Sequence, residues 1–341
     1  MAGTILHFNL LKKGKKILCI DNNFKKNSSL VAAGMFNPIV FKRLNKSWNA
    51  DNFVLAMNSF FSEIEKFLNL NLKTNLDIVR IFSSMENQND WEVKVRDSNF
   101  SNYLSSESTN ELTENNIEHN FGYGIVKKGG WVNTVVFLEK YRLFLEEENL
   151  LWNEELDYKK LKITKNKIEY KGIISSKIIF CEGTQSIQNP YFNYLPFKPT
   201  KGEVLTIKAE KLNISKIVNR GFFMLPLGDN LYRVGATYNW QDETYLTTEE
   251  GKKELIKKIK TVIKQDFKII DHQAGIRPTV KDRKPFIGIH PDHESLGIFN
   301  GLGTKGVLIA PYYANQFCDS LENGSTLDKE VNIERYSSLK K

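Results

Sequence analysis

Two stretches near the C-terminus contain the residue types best suited to chemistry, namely residues 274–279 (AGIRPT) and the glycine-rich residues 301–306 (GLGTKG). Glycines ahead of a helix allow close backbone approach and supply unpaired N–H groups. Those groups and the helix dipole stabilise partial negative charge on a bound ring system. The planar guanidinium of Arg277 suits a carboxylate. The residues alone also allow a simple Arg-Pro turn with an ion pair.

The N-terminal residues form half of a dinucleotide-binding pattern. Residues 2–13 have helical apolar spacing, and the strand-like segment 16–21 (KILCID) ends on Asp21. In the complete unit a glycine fingerprint faces the pyrophosphate, and an acid about 20 residues further on binds the ribose. Gly3 fits the last glycine of that fingerprint and Asp21 fits the acid. Any helix–strand pair that ends in Asp would match, so this pattern also allows a chain without a nucleotide.

Composition indicates an ordinary globular protein. The chain has 341 residues, 41% hydrophobic and 26% charged, which predicts about two domains. No apolar run approaches the roughly 18 residues that a membrane span requires. The net charge is +8, but only nine of the 48 basic residues are arginine and the lysines are scattered. We therefore expect solvated helix faces and anionic small ligands rather than a nucleic-acid partner.

Cysteine and histidine usage predicts neither a disulfide framework nor a metal site. Cys19, Cys181 and Cys318 lie far apart in apolar surroundings, and no H-x-x-x-H occurs among the five histidines. The basic run near the N-terminus follows the apolar stretch, which is not the layout of a signal peptide. A reducing cytoplasm is the expected location.

Apolar periodicity predicts an α/β protein with a β-rich centre. The spacing predicts helices over 50–70, 134–148, 249–264 and 307–321, the last with Pro311 in its first turn. Residues 173–181 are predicted as one strand and residues 84–120 as mostly irregular. Further strands are predicted over 78–82, 150–152, 167–170, 202–208, 221–225, 231–238, 271–277, 286–289 and 297–300. The pattern favours a discontinuous nucleotide-type domain with an inserted sheet domain.

The C-terminal motifs resemble the D-amino-acid oxidase / glycine oxidase family of FAD-dependent oxidoreductases. That family ends with a pattern like G-L-R-P, then D-x-x-P-x-I-G, then a glycine-rich loop before a helix containing A-P. The segments 28–38 (SSLVAAGMFNP), 179–183 (IFCEG), 201–203 and 235–237 agree with it in the same order. The resemblance implies a Rossmann-like FAD-binding domain from 1–75, 130–190 and 270–341. An antiparallel sheet domain for the substrate would comprise 76–129 and 191–269.

The same resemblance implies the site residues. Arg277 would hold a substrate carboxylate, with Tyr238 and Phe223 facing the substrate, and no side-chain general base is required. Related enzymes often have tyrosine in place of Phe223, and some glycine oxidases have arginine in place of Thr304. FAD would be bound by Gly3, Asp21, Ser28, Ser29, Ala32, Ala33, Gly34, Met35, Gly183, Gly301, Gly303, Thr304, Lys305, Gly306 and Val307.

The implied activity is hydride transfer from a C–H next to an amine, in a small amino acid or related amine, to the flavin. Oxygen or another acceptor would then reoxidise the flavin. One alternative is a related flavoprotein acting on a hydroxy acid or a modified tRNA base. The family's first strand and first two glycines have no counterpart in this sequence, and that strand would be central in a parallel sheet. The second alternative is therefore a truncated, flavin-poor, non-catalytic protein.

Overall fold

A computed structural model describes residues 1–23, 27–106, 111–115 and 117–339. Eight α-helices occur in these residues, and the long amphipathic ones lie where apolar periodicity predicts them. Their bounds are α1 (Ala2–Lys12), α2 (Ser28–Val31), α3 (Ala50–Leu68), α4 (Met85–Val95), α5 (Glu111–Glu114), α6 (Thr134–Glu147), α7 (Glu249–Lys260) and α8 (Gly306–Asn323).

The strands are numerous and mostly short. The first half of the chain contains β1 (Cys19–Ile20), β2 (Met35–Phe36), β3 (Ile39–Val40), β4 (Asn45–Lys46), β5 (Lys73–Asn75), β6 (Ile78–Ile81), β7 (Leu104–Ser105), β8 (Tyr123–Val126), β9 (Gly130–Val132) and β10 (Leu151–Trp152). The second half contains β11 (Leu161–Ile163), β12 (Ile168–Tyr170), β13 (Ile173–Ser175), β14 (Ile178–Phe180), β15 (Thr200–Lys208), β16 (Ile217–Asn219), β17 (Phe223–Gly228), β18 (Leu231–Gly235), β19 (Lys268–Arg277), β20 (Phe286–His290) and β21 (His293–Asn300).

An eight-stranded sheet, in the order β19-β15-β18-β17-β16-β6-β8-β7, forms one half of the molecule. The resemblance assigns this half to the substrate, and we call it the substrate half. Neighbouring strands are antiparallel except for β16 and β6, which are parallel, so the predicted antiparallel sheet contains one parallel pair. Side chains alternate between the two faces of each strand. Leu205 and Ile207 of β15 therefore belong to the same buried cluster as Leu255 of α7. On the opposite face, a Cβ on Gly275 of β19 would lie 3.2 Å from Val31 of α2.

The remainder of the molecule, which the resemblance assigns to FAD and which we call the cofactor half, contains two smaller parallel pairings. β1 pairs with β10, and β14 pairs with β21, which in turn pairs antiparallel with β20. Residues of β1 and β14 line one cavity, yet these two strands belong to separate sheets among the described residues. The predicted strand over 16–21 is shorter, since only Cys19 and Ile20 pair.

Several expectations need correction. The predicted irregular region contains α4, whose Trp91 is buried and which is capped by the Ser84 hydroxyl accepting from the Asn87 N–H. The single strand predicted over 173–181 is two strands that belong to different sheets. Pro311 lies beyond the first turn of α8, because the helix already begins at Gly306.

The largest apolar core joins α1, α3, α6 and α8. Ile5, Phe53, Phe61, Phe137 and Phe317 are among its fully buried side chains. β19 extends from Lys268 to Arg277 and pairs with β15 along its length, whereas the division into two domains stays a prediction. Among the described residues, no helix has both the length and the apolar character needed to cross a bilayer.

Candidate cofactor and substrate site

A cavity of about 1200 Å³ crosses the cofactor half. Its walls come from the start of α1, the end of β1, the turn after β14 and the glycine loop before α8. Seven of the fifteen residues predicted to bind FAD line it, namely Gly3, Asp21, Ser28, Ser29, Gly183, Gly303 and Gly306. The tertiary structure thus brings together residues that are up to about 300 positions apart in the sequence.

Two helices begin at this cavity without a side-chain cap. Gly3 lies in the first turn of α1 and Gly306 opens α8, and neither helix has a side-chain hydrogen bond at its N-cap. The two starts are close, because a Cβ on Gly306 would lie 4.0 Å from Met1 Cγ. The first N–H groups of a helix have no intrahelical partner and carry partial positive charge. This arrangement suits an anionic group such as a pyrophosphate.

The far wall of the cavity carries two acids in different environments. The exposed Asp21 carboxylate accepts a hydrogen bond from Arg142 Nη1 at 2.5 Å and from the Asn23 N–H at 2.8 Å. Glu182 accepts from Tyr158 Oη at 2.5 Å and from Asn189 Nδ2 at 2.9 Å. Burial raises the pKa of Glu182. Asp21 therefore presents a charged, solvent-facing acceptor to a ligand hydroxyl, whereas Glu182 is tied into the protein.

The glycine loop is stabilised by polar contacts of its own. Gly301 has a φ of 75°, and its N–H donates to Asn300 Oδ1 at 2.8 Å. This N–H is therefore already bonded within the protein, and the role of Gly301 as a flavin donor stays a prediction. The Lys305 ammonium donates to the Ser47 hydroxyl, and burial lowers the pKa of Lys305 to about 8. Thr304 is exposed and Val307 is buried.

The small-residue segment lies beside the cavity. Asn27 caps α2 by accepting from the Ser29 and Leu30 N–H groups, both at 3.1 Å. The chain then continues through Ala32, Ala33, Gly34 and Met35, none of which lines the cavity itself. Gly34 has a φ of 65°, and a Cβ there would lie 1.9 Å from the Val132 carbonyl oxygen. This position therefore requires glycine.

The eight-stranded sheet presents the predicted substrate residues on one face. Arg277 is opposite Thr200, and Val204, Gly235 and Phe223 form one row across three strands. Directly opposite residues share a face of the sheet. Phe223 lies across Gly235, since a Cβ there would be 2.9 Å from the Phe223 ring.

The Arg277 guanidinium lies over Gly202 and is held by neutral groups. Nη1 donates to the Lys201 carbonyl at 3.2 Å and Nη2 to the Thr237 carbonyl at 3.4 Å. The Tyr238 ring centre is 4.4 Å from Cζ. A Cβ on Gly202 would lie 1.9 Å from Nη2, so glycine creates the space for this group. No carboxylate of the described residues forms an ion pair with Arg277, which leaves its charge available for a ligand.

Sequence reasoning missed Arg233, which reaches the same face. Nη1 donates to the Val31 carbonyl at 3.1 Å and Nη2 to Gln273 Oε1 at 3.4 Å, while the buried Nε has no partner in the part of the chain that the structure describes. Desolvation lowers the pKa of Arg233. The signal was available, because Arg233 interrupts the apolar alternation of Tyr232 and Val234 and so must point to the opposite face.

Comparison with known proteins identifies the family. A family model described as "FAD dependent oxidoreductase" matches residues 1–319. The chain belongs to this FAD-dependent oxidoreductase family. Glycine oxidase from Bacillus subtilis is 31% identical over 139 residues, which are 40% of this chain and 36% of that protein. The tRNA 5-methylaminomethyl-2-thiouridine biosynthesis bifunctional protein MnmC from Legionella pneumophila is 25% identical over 176 residues, 49% of this chain and 25% of that protein. The matches thus span about a third or less of these relatives.

Solved structures share the fold over nearly the whole chain. Iminodiacetate oxidase from Chelativorans superimposes with a TM-score of 0.78 at 19% identity, covering 98% of this chain and 95% of that one. Glycine oxidase from Bacillus cereus gives 0.77 at 15% identity, with 95% and 93% covered. The family's cofactor is FAD, and the residues present fit it. Two uncapped helix starts suit the pyrophosphate, and Asp21 offers an acceptor to a ribose hydroxyl.

Proposed function

We propose that this protein oxidises the C–N bond of a small amino acid or related amine that carries a carboxylate. The observation that supports this most is the Arg277 guanidinium, which lies on the face of the sheet turned toward the cofactor half. Its hydrogen-bond partners are backbone carbonyls rather than acids. A guanidinium group that has no anionic partner among the described residues is the group expected to bind a substrate carboxylate through two hydrogen bonds.

In this proposal the chain's own residues bind and orient the substrate. Arg277 would hold the carboxylate, and the Tyr238 ring, whose centre is 4.4 Å from Arg277 Cζ, lies against the guanidinium. The substrate's reacting C–H would then point toward the cofactor half, beside Phe223, which lies across Gly235. Fixing one end of a small molecule in this way supplies orientation, which is a contribution to the rate that the protein itself can provide.

Bound FAD would supply the two-electron acceptor for the hydride. The start of α8 and the Lys305 ammonium would place positive charge at the glycine loop, where negative charge on a bound ring system would be stabilised. Ser28, Ser29, Gly183 and Gly303 would hold the remainder of the cofactor from the cavity walls. Oxygen or another acceptor would complete the cycle.

The test uses protein reconstituted with FAD and freed of excess cofactor. Amino acids, N-alkylglycines, hydroxy acids and uncharged amines are added anaerobically, and bleaching of the flavin absorption near 450 nm is followed. We expect bleaching with amines that carry a carboxylate. Bleaching by hydroxy acids alone, or by uncharged amines alone, would contradict the proposal.

A further inference from the structure

Two aromatic side chains are exposed beside Arg277, on the segment that follows β18. Tyr238 is 59% exposed and Trp240 is 52% exposed. Each ring lies against a cation, with Arg277 Cζ 4.4 Å from the Tyr238 ring centre and Lys198 Nζ 5.4 Å from the Trp240 ring centre. Large aromatic surfaces are normally buried in a globular protein, so two exposed rings beside a candidate substrate anchor point to a ligand.

The segment that presents these rings is anchored. The Lys201 N–H donates to the Asn239 carbonyl at 2.9 Å, and the Asn239 N–H donates to the Lys201 carbonyl at 3.0 Å. The buried Lys201 ammonium donates to Asp242 Oδ2 at 2.5 Å. Asn239 is the residue between the two rings, so these bonds fix the backbone from which both rings project.

The two cations also belong to one region. Thr200 is opposite Arg277 in the sheet, and two residues earlier the Lys198 N–H donates to the Thr279 carbonyl at 2.8 Å. Among the described residues neither Arg277 nor Lys198 forms an ion pair. The two cations and the two aromatic rings thus form one positively charged surface, which we call the shelf. It comprises Lys198, Tyr238, Trp240 and Arg277, and Arg277 is the proposed carboxylate-binding residue.

We propose that Tyr238 and Trp240 form a subsite for a planar aromatic or heteroaromatic group carried by the amine substrate. This inference rests on the proposed function, because Arg277 must hold the carboxylate of the same molecule. A cation on one face of a ring leaves the ring edge or the other face for stacking with a ligand. A substrate the size of glycine would leave both rings in water. A substrate with an aromatic substituent on its nitrogen would cover them.

The experiment compares N-benzylglycine with N-methylglycine on FAD-loaded protein. We expect kcat/KM to be about tenfold higher for N-benzylglycine, the size of effect that aromatic stacking provides. Trp240→Leu keeps apolar volume but removes the π face, and it should lower the ratio of the two kcat/KM values several-fold. Leu55→Ala removes an exposed apolar side chain on α3, far from this shelf, and should leave both values unchanged.

Calorimetric titration with the same two compounds gives a readout that does not depend on turnover. We expect tighter binding of N-benzylglycine and loss of that preference in Trp240→Leu. Equal binding of the two compounds, or a preference that survives Trp240→Leu, would overturn the subsite. If neither compound is oxidised but the binding preference is present, the proposed oxidation fails while the subsite stands. If both are oxidised without preference, the subsite fails while the proposed function stands.

Discussion

The two halves of this molecule hold their functional residues in different ways. The substrate half places Arg277 and Phe223 on one continuous sheet of eight strands. The pairing of each strand with its neighbour sets the positions of these residues relative to each other. The cofactor half places its residues on the ends of separate pairings, with β1 and β14 in different sheets that line one cavity. A strand with a neighbour on each side has its backbone N–H and C=O groups hydrogen-bonded within the sheet. The same groups on an open edge must form hydrogen bonds with solvent or with a ligand.

This difference teaches where stability and binding are coupled. The substrate face is organised by backbone hydrogen bonds that exist without any ligand. The walls of the cofactor cavity meet mainly through the ends of α1, β1, β14 and α8, so a ligand that touches all of them adds contacts that the protein alone lacks. We therefore expect the walls of the cofactor cavity to be the part of the molecule that FAD stabilises most.

The largest expected effect is on the substrate half. Arg277→Ala removes the carboxylate partner, a loss worth about 2–5 kcal/mol in transition-state binding. Both kcat and KM should change, because the same bond orients the reacting C–H. Arg277→Lys should be nearly as harmful, since an ammonium cannot make two parallel bonds. The measurement is steady-state kinetics, with flavin content as the control. If Arg277→Ala oxidises a carboxylate substrate at the rate of the parent protein, another residue binds the carboxylate.

In the cofactor half, Gly34→Ala tests a single close approach. The positive φ costs about 1–2 kcal/mol for alanine, and the clash with the Val132 carbonyl adds about 1–3 kcal/mol. Urea unfolding should therefore show a loss of about 3 kcal/mol. Gly14→Ala is the matched control, because its φ is 70° and nothing lies within 4 Å of the added Cβ. Equal losses in the two variants would mean that the close approach at Gly34 contributes nothing.

Adding FAD should sharpen the comparison between the halves. At a free concentration one hundred times Kd, a ligand that binds only the folded state stabilises it by about 2.7 kcal/mol. Hydrogen exchange should locate this gain at β1, β14 and the start of α8, with little change in β15 and β18. A uniform increase in protection across both halves would show that they open as one unit.

The smallest effect concerns the buried ammonium of the glycine loop. Burial lowers the pKa of Lys305 to about 8 in the folded protein, below the ordinary value near 10.5. The unfolded chain therefore binds more protons between these two values, so stability rises with pH across that window. Below about pH 8 the folded protein carries the full free-energy cost of burying the charged ammonium. Lys305→Met removes that cost and should raise the free energy of unfolding by about 1–2 kcal/mol there. The gain should shrink between pH 8 and 10.5 in urea titrations, and a constant gain would rule out desolvation as its cause.

The sequence by itself determined the elements whose signals are local. The apolar repeat of α3 and the lysine-rich face of α7 predicted both helices, because a helical face requires a residue every three or four positions. The glycine loop before α8 and the strand ending at Arg277 followed from residues adjacent in the chain. The FAD family also followed from motifs of this kind, each confined to a few consecutive residues.

Only the tertiary structure decided what depends on distant partners. α4 has a weak apolar pattern and is fixed by the burial of Trp91, so its sequence looked irregular. Residues 173–181 form two strands instead of one because β13 and β14 pair with strands of different sheets. Contacts such as Arg233 with Val31 and Lys305 with Ser47 join residues more than 200 positions apart. Periodicity shows which face of an element is apolar, but the partner of that face is set by packing across the whole chain.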